Sequence, residues 1–433
     1  MRQFFEFERL GTNYRREIFG GVTTFFAMAY IVIVNPAILA AGGMPKAAVT
    51  TATVLTAVLG TLMMGLYARR PFAVAPYMGE NAFVAYTVCL GMGFSWQAAL
   101  AAVFISGLIF ILTTVMKVRA WITTAIPLCL KRSFAAGIGL FIMFIGLNES
   151  GLVRLGVEGA PVKIGALSNL GPLLAAVGII ITCILLIRRV TAAVLLGIVL
   201  TSVLAFATGY APLPQQIIAM PPSLSPVFLA LDFSRALQPD FLPVVLVLFI
   251  LAFVDTMGTL IGVSARAGLL DEEANLPEIE KPMLADAVAT TAAGLLGTTT
   301  SGAYIESAAG IEAGARSGFA AVVTGGLLAL CLFFAPLFVA VPAVAYGAAL
   351  VVVGFLMSTT IKDLPFDDYA ELFPSLATVA LMVFTYNIGF GMAAGFVLYP
   401  LFKTAVGRGK ELKPGVWLLF GLSLLLFVVY PYS

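Results

Sequence analysis

The chain has 433 residues, of which 61% are hydrophobic and only 11% charged, and its mean hydropathy is +1.05. Soluble domains carry roughly a quarter charged residues, so this composition excludes an ordinary soluble core. A formal net charge of +2, with Lys and Arg at segment ends, excludes a nucleic-acid-binding face, and the lack of any histidine removes the usual proton relay and histidine-based catalytic triads.

Residues 1–16, MRQFFEFERLGTNYRR, are polar and lack the apolar run and cleavage site of a signal peptide, so a retained N-terminal segment is expected. A spanning helix needs about 20 mainly apolar residues. Apolar stretches run at 17–41, 47–68, 71–91, 96–116, 122–148, 171–187 and 190–209. After a proline-rich loop at 210–239 they resume at 240–264, 282–299, 301–314, 318–340 and 342–360. The end of the chain reads as 374–387 and 389–405, with a third apolar segment at 415–431 that is either a span or interfacial. Cys89, Cys129, Cys183 and Cys331 stand isolated in apolar stretches, so neither disulfide nor metal site is expected, and no cofactor.

Placing the basic N-terminus in the cytoplasm puts Arg69, Arg70, Lys117, Arg119, Arg188, Arg189, Arg266, Lys281, Arg316, Lys362, Lys403, Arg408, Lys410 and Lys413 on the inner side. Only Lys46, Arg154, Lys163 and Arg235 fall outside. This predicts a multi-pass protein of the inner cell membrane, with the lipid bilayer as its solvent.

Two stretches are poor continuous helices. In PFAVAPYMGENAFVAYTVCLG, Pro71, Pro76 and Gly79 break any early helix; in GTTTSGAYIESAAGIEAG, a Thr-rich run and Gly302 precede a small-residue helix. Aligning the helical parts sets Glu80, in the third span, opposite Glu306, in the tenth. That spacing, together with Pro127 opening the fifth span and Pro342 the twelfth, predicts an all-α polytopic membrane protein of about 14 transmembrane segments in a 7+7 inverted repeat, with spans 3 and 10 interrupted by short extended stretches. Paired broken helices of this kind point to a transport site near mid-membrane.

Carboxylates in the hydrocarbon cost about 2.5 kcal/mol or more and mark pathways by default. Glu80, Asp255 and Glu306 are therefore the expected substrate-binding and proton-coupling groups. Glu312 is expected to pair with Arg316 four residues on, and Asp286, close to Lys281, to be structural at the cytoplasmic mouth. Tyr304, Phe83 and Tyr86 are candidates to stack on a planar ligand. Acids facing half-helix N–H donors suit a neutral planar ligand with several N–H groups, such as a nucleobase, and burial lets one acid carry a proton.

At these residues the sequence resembles nucleobase-cation symporter family 2 (the xanthine/uracil permease superfamily), in its azaguanine- and hypoxanthine-permease-like branch. The likeness runs from GTNYRREIFGGVTTFFAMAYIVIVNPAIL through GLNESGLV and DTMGTLIGVSARAGLLD to SGAYIESAAGIEAGARSG. It implies a proton-coupled importer of a purine-type nucleobase working by alternating access, often as a homodimer. It further implies a core domain (17–120 and 240–340) moving against a gate domain (121–209 and 341–433), with 210–239 as the inter-repeat loop. Asn81, Phe83, Asp255, Tyr304 and Glu306 fall on the branch's substrate-contact motifs. The branch usually has a further acid where Ala252 stands and an apolar residue where Glu80 stands, so the binding carboxylate is expected to have moved from the eighth span to the third. An anion transporter of the same architecture, a nucleobase transporter of other specificity and a passive channel are the alternatives within transport. An intramembrane hydrolase lacks its nucleophile–base or metal set, so no enzyme is expected.

Overall fold

The computed structural model describes residues 1–118, 125–157, 160–270 and 276–429. Expectations that fall on residues 119, 122–124, 271 and 430–431 lie outside them. Among the described residues nine helices are long and apolar enough to cross a membrane, and three shorter apolar helices, Ala193–Ala207, Tyr369–Phe384 and Pro414–Leu425, accompany them. The protein is a multi-pass membrane protein.

The first expected span is two helices, α1 (Tyr14–Met28) and α2 (Ile31–Ala41), joined at Ala29 and Tyr30. Residues 1–11 are more than a polar tail, because Phe5 and Phe7 are buried and contact Phe319 edge-on. After α3 (Lys46–Leu66), the stretch read as interrupted forms a strand β1 (Val74–Pro76), a short helix α4 (Met78–Ala82) and a π-helical turn at Phe83–Gly91. Its counterpart comes after the helices α5 (Trp96–Val115), α6 (Leu128–Glu149), α7 (Leu170–Ile187), α8 (Ala193–Ala207), α9 (Phe233–Ala236), α10 (Leu242–Ala267) and α11 (Glu280–Leu296) and the strands β2 (Val153–Val157) and β3 (Ala160–Ile164), as strand β4 (Ser301–Ala303) and helix α12 (Ser307–Glu312). Gly297 ends α11 at φ 94°, a left-handed turn that a side chain would strain, and a Cβ there would also meet Val227. A hairpin of Val153–Val157 with Ala160–Ile164 was not foreseen.

The two interrupted stretches meet. β1 and β4 pair antiparallel with Val74 opposite Ala303 and Pro76 opposite Ser301. The ladder closes at both ends by matching bonds: the Tyr77 amide donates to the Thr300 carbonyl (3.0 Å) and the Tyr304 amide to that of Ala73 (2.9 Å). The outer edges are satisfied in matching ways as well. The Thr61 hydroxyl accepts from the Val74 amide (2.9 Å) and donates to its carbonyl (3.0 Å), and Thr290 does the same for Ser301 (3.1 and 2.8 Å). Buried non-helical backbone survives because these groups are paired.

Tyr77 and Tyr304 each follow their strand by one residue, so they are the structural equivalents. This shifts the expected alignment by one: Glu80 corresponds to Ser307 and Glu306 to Gly79. Glu80 lies inside α4, whereas Glu306 caps the N-terminus of α12.

Pro127 and Pro342 are the N-caps of helices Leu128–Glu149 and Ala343–Ser358. Those helices press glycine on glycine: a Cβ on Gly139 would lie 2.7 Å from the Gly354 carbonyl, and one on Gly146 2.7 Å from that of Gly347. Small-residue seams of this kind are how membrane helices gain close packing.

Candidate functional site

The site is built where α4 and α12 start, against α10 (Leu242–Ala267). Proline at 76 and the extended Tyr77 stop β1 and free α4 to begin at Met78. One turn in, the Glu80 side chain is fully buried, and neither carboxylate oxygen has a hydrogen-bond partner among the described residues. The helix that carries Asp255, α10, packs against both α4, which carries Glu80, and α12, which Glu306 precedes, and Tyr304 lies two residues before Glu306. Asp255 and Glu306 are only half-buried, while Tyr304 is buried.

Tyrosines frame this cluster. The Tyr77 and Tyr304 rings lie parallel (8°) with centroids 6.4 Å apart, and the Tyr304 hydroxyl donates to the Pro76 carbonyl. Gly302 makes room for this, since a Cβ there would come within 2.2 Å of the Tyr77 hydroxyl oxygen. Tyr30, at the break between α1 and α2, donates to Glu306 at 2.5 Å. Sequence reasoning missed Tyr30 and Tyr77; the signal for the second was a tyrosine in the same place after each strand.

Asp286 departs from expectation. It is not at a mouth beside Lys281, which pairs with Glu278 (2.6 Å). Fully buried, its Oδ2 accepts from the Ala303 amide (3.0 Å) and the Thr256 hydroxyl (3.1 Å). Because the Thr256 proton is so used, the Tyr77 hydroxyl must donate to Thr256 (3.0 Å), giving a chain from Tyr77 through Thr256 to Asp286. Its other oxygen, Oδ1, has no partner among the described residues. Glu312 likewise does not pair with Arg316; Arg266 holds it at 3.1 Å, while Arg316 donates to the carbonyls of Ile311 and Ala315.

Asn81 is fully buried and its amide nitrogen donates to Asn35 (2.9 Å). Phe83 is buried, and its ring reaches Gly389, where a Cβ would lie 3.3 Å from the ring. Tyr86 is engaged: it donates to Glu149 (3.0 Å) and meets Tyr386 edge-on. Glu149 also accepts from Tyr346 (3.0 Å). A separate cavity of about 240 Å³ lies against the N-terminal segment, lined by Glu6, Arg9, Arg69, Arg70, Glu278 and Lys281 among others, and touches none of the six expected site residues.

Helices packed around paired strand–helix breaks, with an unbonded carboxylate buried at the start of one of them, define a membrane transporter rather than an enzyme. A family model described as the permease family (Xan_ur_permease) matches residues 15–428. The chain is 46% identical over 432 residues to a putative permease of Methanocaldococcus jannaschii, covering 100% of this chain and 98% of that one. It is 43% identical to the guanine/hypoxanthine permease PbuG of Bacillus subtilis (99% of each chain) and 38% identical to the adenine permease AdeQ of Escherichia coli (95% and 93%). Among solved structures, the transmembrane domain of the cyanobacterial bicarbonate transporter BicA superposes with a TM-score of 0.65 at 19% identity, over 88% of this chain and 97% of that one. The protein belongs to the permease family.

Proposed function

We propose that the protein imports a purine-type nucleobase together with a proton, by alternating access of the Glu80–Asp255–Glu306 cluster. The observation that carries this is Glu80: a carboxyl group held in a fully buried place with neither oxygen bonded. A buried acid without a donor is expensive unless a partner arrives. A purine supplies N–H donors in one plane to Glu80, the proton that travels with it is carried by a neighbouring acid of the cluster, Asp255 or Glu306, and Tyr304 offers a ring beside them. Relatives named as guanine/hypoxanthine and adenine permeases support the same class of cargo.

The architecture we propose is fourteen spans in two inverted sets of seven, with the third and tenth interrupted. Its support is the reciprocal ladder and the twin threonine clasps of Thr61 and Thr290. The core is 17–120 with 240–340 and the gate is 121–209 with 341–433. A cytoplasmic N-terminus in the inner membrane is favoured because the N-terminal segment, Arg69, Arg70 and Lys281 line one pocket and so share one end. A homodimer completes the proposal. We propose that Glu80 replaces the acid lost at Ala252: Ala252 is buried one turn before Asp255, and the helix that carries both packs against α4, which carries Glu80.

The fold likeness to a bicarbonate transporter does not favour an anion here, because three acids at the site repel one. The deciding experiment is uptake of adenine, guanine, hypoxanthine, xanthine, uracil, bicarbonate and sulfate into vesicles, with and without a proton gradient. Purine uptake that collapses with the gradient is expected; bicarbonate or sulfate uptake alone, or uptake indifferent to the gradient, overturns the reading. Glu80→Gln and Ala252→Asp, singly and combined, test the relocation, which fails if Glu80→Gln leaves uptake and selectivity unchanged.

A further inference from the structure

We infer that Asn35 is a positioning residue that fixes which end of the Asn81 amide is offered to the cargo, an inference that rests on the purine reading of the site. A chain of hydrogen bonds among fully buried groups fixes each proton in turn. Thr53 has one hydroxyl proton, and it goes to the Val49 carbonyl at 2.7 Å. Toward Asn35, 2.7 Å away, Thr53 is therefore an acceptor only, so Asn35 must turn its NH2 to it. The same NH2 reaches the Thr298 hydroxyl at 2.9 Å. With its nitrogen so held, Asn35 presents its carbonyl to Asn81, and Asn81 must answer with its own NH2, at 2.9 Å. The Asn81 carbonyl oxygen is then left as a pure acceptor, buried and without a partner among the described residues. Three helices take part, with Asn35 on α2, Thr53 on α3 and Asn81 on α4, so the orientation is set by the packing of the scaffold.

The consequence is a preference for the cargo's protonated edge. Glu80 and Asn81 together present unpaired acceptors, which favour a purine edge carrying N1–H, as in hypoxanthine, over the bare N1 of adenine. An amide free to turn over would serve either edge. Asn35 thus acts through Asn81 without touching cargo.

The test is binding of hypoxanthine and adenine to purified full-length protein. In Asn35→Leu, the hypoxanthine-to-adenine affinity ratio is expected to fall about tenfold, the equivalent of one hydrogen bond reversed. Thr53→Val, which leaves both asparagines in place, should lower the ratio about threefold, and Thr53→Ser, which keeps the hydroxyl, should leave it at the wild-type value. In an Asn81→Ala background, Asn35→Leu should change the ratio no further. A ratio unchanged in both Asn35→Leu and Thr53→Val overturns the inference while leaving the purine reading intact, as does a thermal shift without a ratio change. If Asn35→Leu does not fold, the two Thr53 variants decide alone. Wild-type protein that binds neither purine overturns both readings.

Discussion

Replacing Glu80 by glutamine should weaken cargo binding without weakening the fold. Both Glu80 oxygens are buried and unbonded, so no protein hydrogen bond is lost in the change. Glutamine has nearly the same shape and cannot ionise, which removes the cost of holding a charge among apolar neighbours. The expected melting temperature is equal to wild type or up to about 2 °C higher, since 1 kcal/mol is worth roughly that in a chain of this length. Binding should move the other way. A hydrogen bond to an ionised acceptor is worth about 1.5–3 kcal/mol, and the glutamine NH2 would set a donor against a cargo donor. A loss of about 2–3 kcal/mol raises Kd roughly 30- to 150-fold. Calorimetric binding and a thermal-shift assay on one preparation read both quantities. Unchanged affinity, or a melting temperature that drops in step with affinity, would refute the reasoning, because either result makes Glu80 an ordinary structural residue.

Other consequences can be read from the same geometry. Gly302→Ala brings a methyl within 2.2 Å of the Tyr77 hydroxyl oxygen, so the ring must move and the Tyr77–Thr256–Asp286 chain must part; purine uptake should fall at least about tenfold in protein that still inserts and elutes as wild type. Glu149→Gln leaves one acceptor for two tyrosine hydroxyls, at Tyr86 and Tyr346, and should cost about 1–3 kcal/mol, seen as a lower melting temperature. Lys403 is 1% exposed and lies 2.6 Å from Glu371, 3.1 Å from Glu411 and 3.7 Å from Asp368. Lys403→Met leaves those half-exposed acids without their shared cation, and a loss of about 1–3 kcal/mol, reduced from the fully buried case by solvent, should appear in denaturation. The hydrogen bond from Arg408 holds the Asp368 carboxyl below its usual range. Its contribution is full above the unfolded-state value near about 4 and fades as pH falls through the lower folded value. Asp368→Asn should therefore flatten the loss of melting temperature on acidification below about pH 4.

Much of the scaffold was legible because membrane burial writes itself into composition and proline placement. Pro127 and Pro342 read as helix starts and are N-caps, since proline has no amide to leave unpaired there. Glu80, Asp255 and Glu306 stand out in the sequence because a carboxylate in an apolar run has few reasons to persist, and the proposed site is built on them. What the sequence could not show is pairing across distance. Asp286 bonds the amide of Ala303, and its neighbour Lys281 in sequence pointed the wrong way. Arg266 reaches Glu312 from another helix, which defeats an argument from spacing four residues along one helix. Nor could glutamate-to-glutamate alignment reveal that the tyrosines are the matched pair, because the register is settled by strand hydrogen bonds rather than by residue likeness.

That register has a consequence for how one scaffold serves a cargo without symmetry. The backbone of the two strands and their threonine clasps repeats in both halves, but the side chains behind them do not. Where the first half has Glu80, the second has Ser307, whose hydroxyl accepts from the Ala73 amide at 2.9 Å and so finishes the ladder. On the other strand the Ala303 amide is finished by Asp286 from a different helix, where its counterpart Pro76 has no amide to finish. Each half therefore closes its strand with its own group, which leaves the Glu80 carboxylate and the Asn81 carbonyl without partners among the described residues on one side, while Glu306 on the other takes a bond from Tyr30. A twofold site would offer the same acceptors on both sides and could not tell one edge of a purine from another. On the proposed reading, the paired breaks keep their backbone satisfied in the same way while their unequal capping sets unlike groups beside the Tyr77–Tyr304 pair, as a flat, lopsided cargo requires.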